Sequence, residues 1–331
     1  MKNNNFKHKK LGAFIVPTGV GASIGGYAGD ASAWARKFSQ ESTLIVNPNV
    51  VNAGCFSGIT ENMLYVEGYS LDEFFKGKIS LNPAEGNKIG VVFDKSISNE
   101  VLNIHLNTIN AVKTVYGIDI IGHELTQEPV GVEFFVDESN ISTGKVKNIN
   151  TVLEAAKKLL NQGAEAIAIV CKFADDNQNE DYSNGIGVDP IGGVEAIISH
   201  YISRELKIPT AHSPAFEDFS ITTELVNPKA SAEYITPTFL PCVLIGLNNA
   251  PKICEIKPEL INVSDLDFLI MPYNSIGSIP VFEAVKRGIK VFAVNENKTV
   301  LEVTKEKLFK NNEIIEVETY QECLELVRLL K

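Results

Sequence analysis

Short runs of consecutive apolar residues recur along the chain, separated by longer stretches in which apolar positions return every three or four residues. The runs predict strands at Gly12–Val16, Thr43–Val46, Ile89–Phe93, Ile118–Ile121 and Val132–Val136. Further runs at Ala166–Cys171, Ile208–Ala211, Phe268–Met271, Val291–Val294 and Ile314–Val317 predict five more. Several of these runs are unbroken, which suits strands covered on both faces of a parallel sheet. The periodic stretches predict helices over Asn99–Tyr116, Thr151–Gln162, Ile191–Glu205, Val281–Arg287 and Tyr320–Leu330, and Gly117, Gly163 and Gly288 follow three of them where glycine ends a helix. The alternation predicts an α/β protein with open, doubly wound, mostly parallel sheets, arranged as two Rossmann-like lobes around a cleft. Residues 1–10 read as a disordered tail, 11–147 as an N-terminal lobe and 148–331 as a C-terminal lobe, with the polar stretch Asp137–Asn150 as linker.

Composition narrows the functional classes. Thirty Lys and Arg stand against 41 Asp and Glu, a formal charge of −11 over 331 residues. Such a surface repels phosphate backbones, so nucleic acid is not the expected partner. No apolar run reaches the length of about 18 residues that spans a bilayer, so no membrane partner is expected either. Five scattered cysteines without a CxxC pair read as reduced thiols of a cytoplasmic protein.

In open α/β sheets ligands bind beyond the carboxyl ends of strands, so the loops after the strands carry the candidate chemistry. The first loop runs from Pro17 to Asp30, with five glycines in eleven residues. Thr18, Gly19, Gly21, Gly25 and Gly26 offer backbone for close approach to an anionic ligand. Their spacing matches neither the dinucleotide fingerprint nor a P-loop. The second loop clusters Asn47, Asn49 and Asn52, with Glu67 further on as a carboxylate in an apolar run that needs a partner. The third holds Asp175 and Asp176, with Asp189 beyond; the adjacent pair could bind Mg²⁺ or exchange protons. The fourth carries His212, the leading general acid–base candidate. The fifth gathers Asn274, Ser275, Gly277, Ser278, Glu296 and Asn297 around a helix start suited to an anion. Cys242, near the start of an apolar helix, is a candidate activated thiol.

The strings Val16–Asp30 (VPTGVGASIGGYAGD), Asn62–Gly68 (NMLYVEG), Gly187–Pro190 (GVDP), Glu195–His200 (EAIISH), Thr238–Leu247 (TFLPCVLIGL) and Val294–Asn297 (VNEN) occur in that order. Together they resemble an uncharacterised domain-of-unknown-function family of bacteria, cyanobacteria and plants. Ala174 departs from that pattern, which has proline before the paired aspartates, and Cys55 falls where it requires no thiol. The resemblance implies no activity, and no catalytic role is carried over from it.

The leading expectation is an enzyme acting on a small carboxylate- or phosphate-bearing metabolite by hydrolysis, lyase or transfer chemistry. His212, Asp175 and Asp176 would move protons, with a divalent metal such as Mg²⁺ as the candidate cofactor. One alternative is a racemase or isomerase of the aspartate/glutamate racemase type using Cys55 and Cys171. Another is a non-catalytic metabolite-binding protein. Whether the chain forms a homo-oligomer is left open.

Overall fold

The apolar runs become two parallel sheets in the computed structural model, which describes residues 10–174, 180–309 and 313–330. Of the expected tail, residues 1–10, the first nine lie outside the described residues, and Lys10 belongs not to a tail but to the first strand. A six-stranded sheet has the order Ile314–Val317, Lys290–Val294, Phe268–Pro272, Lys10–Phe14, Ser42–Val46, Met63–Tyr65, with every neighbour parallel. Numbered by position in the chain and read from the Met63–Tyr65 edge this is 3-2-1-4-5-6, and its direction of winding switches between Lys10–Phe14 and Phe268–Pro272. A four-stranded sheet has the order Thr210–Ala215, Ala166–Lys172, Ile89–Phe93, Ile120–Leu125, again all parallel. The first sheet draws on residues 10–65 and 268–317, the second on 89–215. The 147/148 division therefore runs through the second sheet, with two strands on each side.

Alternate residues of one strand feed opposite cores, as an apolar run covered on both faces requires. Phe268 and Ile270 join the cluster that contains Phe38 and Tyr320, while Leu269 and Met271 join the one containing Phe74 and Val281. Helices Ser32–Glu41 and Tyr320–Leu329 cover the first face, and Gly68–Phe75 and Ile279–Lys286 the other. The first cluster continues through the apolar helix Leu240–Asn248 to Val91, Phe93 and Ala168 of the second sheet, so one core joins the two.

Two local expectations change. The stretch Asp137–Asn150 is not a linker: Ser142–Val146 pairs antiparallel with Val132–Val136, and the Asp137 carboxylate closes the turn by accepting from the Ser139 and Ile141 amides. This hairpin lies on helix Gly192–Leu206 so closely that a Cβ on Gly193 would sit 1.9 Å from the Ser142 carbonyl oxygen. The strand expected at Ile208–Ala211 runs instead from Thr210 to Ala215, which places His212 inside the strand rather than after it. Among the described residues no helix is long and apolar enough to cross a membrane.

Candidate functional site

Loops from both sheets meet around a cavity of about 410 Å³. Thr18, Gly26 and Ala28 reach it from the loop after Lys10–Phe14, and Pro48, Asn49 and Asn52 from the turn after Ser42–Val46. The second sheet contributes His212 and Pro214 from Thr210–Ala215, Phe216 just beyond, and Ala174 after Ala166–Lys172. The start of helix Gly192–Leu206 supplies Gly192 and Glu195, while Glu233, Tyr234 and Cys242 close the remaining wall. Gly19 holds the first loop in place: at φ +73° its carbonyl accepts from the Ser142 amide at 2.8 Å, and a Cβ there would crowd Ser142. Ser142 Oγ in turn donates to the Pro190 carbonyl and accepts from the Gly193 amide, tying hairpin, loop and helix together.

Glu195 and His212 face each other across this wall. Helical spacing puts Ser199 one turn beyond Glu195, on the same face, and His212 stands opposite on its strand. We assign the single Ser199 hydroxyl hydrogen to the carbonyls of Ala196 and Glu195, 3.3 and 3.4 Å away, so that Oγ accepts from His212 Nδ1 at 2.9 Å. That assigns the proton to Nδ1 and leaves a lone pair on Nε2. Nε2 lies 3.6 Å from Glu195 Oε2, too far for a direct hydrogen bond. Burial raises the Glu195 carboxyl well above its ordinary range, with Asp189 and Glu233 adding to the rise. Burial, and then His200, lowers His212 to about 3. The pair is within ion-pair range, but both shifts favour the uncharged forms, so we read it as a neutral acid facing a neutral imidazole. Glu195 Oε1 is buried and has no hydrogen-bond partner.

Two more carboxyls share the cavity. Asp189 Oδ1 accepts from the Ile191 amide at 3.0 Å at the mouth of helix Gly192–Leu206, and burial raises its affinity for a proton. Glu233 Oε1 accepts from the Ala28 amide at 2.5 Å and from the Tyr182 hydroxyl at 2.9 Å. Glu233 keeps some surface toward the cavity, yet desolvation and then Asp189 push it up to about 8. Tyr182 stacks on Tyr27 with ring centroids 4.4 Å apart.

A model of the family described as "Protein of unknown function (DUF3326)" matches residues 12–331. The chain belongs to the DUF3326 family. The match takes in every described residue of the cavity wall, and it bears out the resemblance read from the ordered strings. A protein of Synechococcus sp. named an uncharacterized lipoprotein is 38% identical over 296 residues, which cover 87% of this chain and 82% of that protein.

Of the residues singled out from sequence, this DUF3326 chain brings Thr18, Gly26, Asn49, Asn52, Asp189, His212 and Cys242 to the cavity. The others are engaged elsewhere or not described. Asp175 and Asp176 lie outside the described residues, and among the described residues no group of His, Cys, Asp and Glu is arranged to hold a metal ion. Gly21 and Gly25 shape the loop at positive φ without lining the cavity. Asn47 uses both ends of its amide on the backbone of Val16. Glu67 caps helix Gly68–Phe75 by accepting from the Tyr69 and Ser70 amides. Asn274 bonds Thr299 and Leu301, and Ser275 and Gly277 pack against Val303. Ser278 Oγ is buried without a partner and away from the cavity, and Glu296 accepts from the Tyr320 amide. Asn297 bonds both backbone groups of Ile24 and the Tyr320 hydroxyl. Cys242 is not an activated thiol: burial pushes it up to about 12, and its Sγ donates to the Phe239 carbonyl. Neither Cys55 nor Cys171 lines the cavity, and Cys171 is raised by burial as well.

Sequence reasoning missed Glu195 and Glu233. The signal for Glu195 was present, since it is the one charged residue in the apolar first half of its helix, four residues before Ser199. Glu233 follows the irregular stretch 216–230, where no periodicity marks a site.

Proposed function

We propose that this chain is an enzyme that holds a small polar metabolite in the cavity and moves a proton on it. Glu195 is the general acid and base, and His212 is the positioning partner. The observation that carries this reading is Glu195 itself: its side chain lines the cavity, and its buried Oε1 has no partner among the described residues. Leaving such an oxygen unpaired costs about 1–3 kcal/mol, a cost a bound ligand would remove. A carboxyl that burial holds above its ordinary range keeps its proton more readily and is suited to giving it up and taking it back in a reaction. His212, lowered to about 3, carries no second proton there, so the acid–base role expected for it passes to Glu195. Its Nε2 lone pair instead orients a substrate hydroxyl or amine lying beside Glu195. Isomerisation, elimination and hydrolysis all draw on such a step.

The anionic metabolite expected from the glycine loops is not favoured by the wall, which has no Lys or Arg among its described residues. For the cellular setting we propose the reducing cytoplasm, because all five cysteines are free thiols. The lipoprotein name of the Synechococcus relative supports membrane attachment as the competing reading, and cell fractionation with a lipid label decides between them.

A thermal-shift screen of metabolites, with and without Mg²⁺ and a chelator, finds ligands, and NMR of each hit detects conversion. The expected result is a hit converted by the wild type, with Glu195→Gln slowing turnover by about a hundredfold or more while the hit still raises the melting midpoint. Unchanged turnover in Glu195→Gln overturns the assignment. A hit that stabilises but is never converted leaves a binding protein instead.

A further inference from the structure

We infer that the cavity takes a small organic cation, a metabolite carrying a protonated amine, held by the carboxyl groups of Asp189, Glu195 and Glu233 and by the aromatic side chains beside them. The inference deepens the acid–base reading and rests on the same cavity being the substrate site.

Three carboxyls meet here, and among the described residues no Lys or Arg lines the cavity to balance them. Cations lie next door instead: a second cavity of about 280 Å³, meeting the first at Ala28, is lined by Arg36 and Lys229. Buried carboxyls are normally paired, and those left unpaired hold a proton in place of a counter-ion. A ligand ammonium can replace that proton, and Glu195, which lines the cavity, has an oxygen, Oε1, that no group among the described residues engages.

The helix N-terminus at the cavity, which favours an anion, is already occupied. Asp189 sits at the N-terminus of helix Gly192–Leu206, where its carboxyl accepts from the Ile191 amide, and the Gly193 amide is taken by Ser142 Oγ. The protein's own carboxylate stands where a phosphate would bind.

The wall also distinguishes an organic cation from a metal ion. Phe134, Tyr182, Phe216, Tyr234 and Phe239 line the cavity, and aromatic faces attract ammonium groups while offering a hydrated metal ion no ligand atoms. Lys229 Nζ lies 4.6 Å from the centre of the Tyr27 ring that stacks on Tyr182, so this tyrosine pair already receives one ammonium. Glu233 Oε1 is engaged by two donors, which reduces its availability for tight metal coordination.

Calorimetry of the full chain at neutral pH tests the inference. Putrescine, butanediol and succinate share a four-carbon chain and differ in their end groups. Tetramethylammonium, a panel of aryl and guanidino amines, and magnesium chloride complete the set. Each titration is repeated in buffers of different ionisation enthalpy. The expected result is that amines bind with net release of protons as the carboxyls ionise, and that butanediol and succinate bind at least about tenfold more weakly. Glu233→Gln, close in shape to the wild type, should weaken the amine by about tenfold and reduce the protons released. Tighter binding of succinate, binding of magnesium that excludes the amines, amine binding without proton release, or no amine binding across the panel each overturns it. An amine that binds with proton release but is never converted leaves this inference standing and removes the enzymatic reading. A neutral substrate converted through Glu195 does the reverse.

Discussion

The switch point of the six-stranded sheet and the cavity shared with the four-stranded sheet both lie beyond strand carboxyl ends, yet they treat polar groups in opposite ways. At the switch point, Asn274 and Asn297 lay residues 295–303 across the strand ends, with their amides bonded to backbone or to Tyr320. On the cavity wall, Glu195 is buried too, yet its Oε1 has no partner among the described residues. Asp94 sharpens the contrast. It is 1% exposed, but it accepts from the Ser96, Val130 and Lys172 amides and so holds the second sheet together. Burial of a polar side chain thus does not mark a site, and neither does a missing partner alone, since Ser278 Oγ is also buried unpaired away from the cavity; Glu195 combines an unpaired oxygen with a place on the cavity wall.

Three measurements can break or sharpen this distinction. The largest effect belongs to the closed crevice: Asn297→Ala deletes the three hydrogen bonds of a buried side chain and should cost about 3 kcal/mol of stability. Turnover per folded molecule should not change. Denaturant melts and an assay of the soluble fraction check both halves, and a specific loss of activity would move the site to the switch point.

The next effect is pH dependence. An unfolded chain loses the Glu233 proton near its ordinary 4.5, while the folded chain keeps it to about 8. Across that window the folded state holds more protons, so stability falls as pH rises. His212 acts in the opposite sense: unfolded chain takes a proton below 6.5 and the folded chain only near 3, so its penalty grows as pH falls through that window. Above pH 6.5 only the carboxyl slope remains. From there to pH 8 Glu233 alone should cost about 2 kcal/mol, and Glu233→Gln should flatten the decline. A flat wild-type profile would show that the carboxyls are ionised throughout.

The smallest effect has the opposite sign. Glu195→Gln removes a buried unpaired acid and should leave stability at neutral pH unchanged or raise it by up to about 1 kcal/mol. A loss of several kcal/mol would make Glu195 a structural residue like Asp94.

How much of this could be read beforehand follows from which forces are local. Ile89–Phe93 and Phe268–Pro272 were legible because strands covered on both faces need unbroken apolar runs. Met63–Tyr65 was not, since three residues inside a longer apolar string carry no period. The hairpin strand Ser142–Val146 looked like a linker because its small polar residues are what close packing on Gly193 demands. At the site, Asp189 and His212 stood out by residue type. Asn274 and Asn297 stood out equally and proved to be braces, because a sequence shows which polar groups exist and not which find partners. Glu233 reaches Ala28 across 205 residues, a contact that no local pattern records.

The same long-range economy governs how the chain must come together. The Leu11 amide waits for the carboxylate of Asp267, 256 residues away, and Lys10 for carbonyls of the final helix. At ribosomal speeds of about 5–20 residues per second, strands 10–65 stand without their neighbour Phe268–Pro272 for roughly 10–40 seconds. The four-stranded sheet, contiguous over residues 89–215, emerges whole in that interval. It is placed to act as the first folded platform during synthesis, while the N-terminal strands remain open edges in need of shelter.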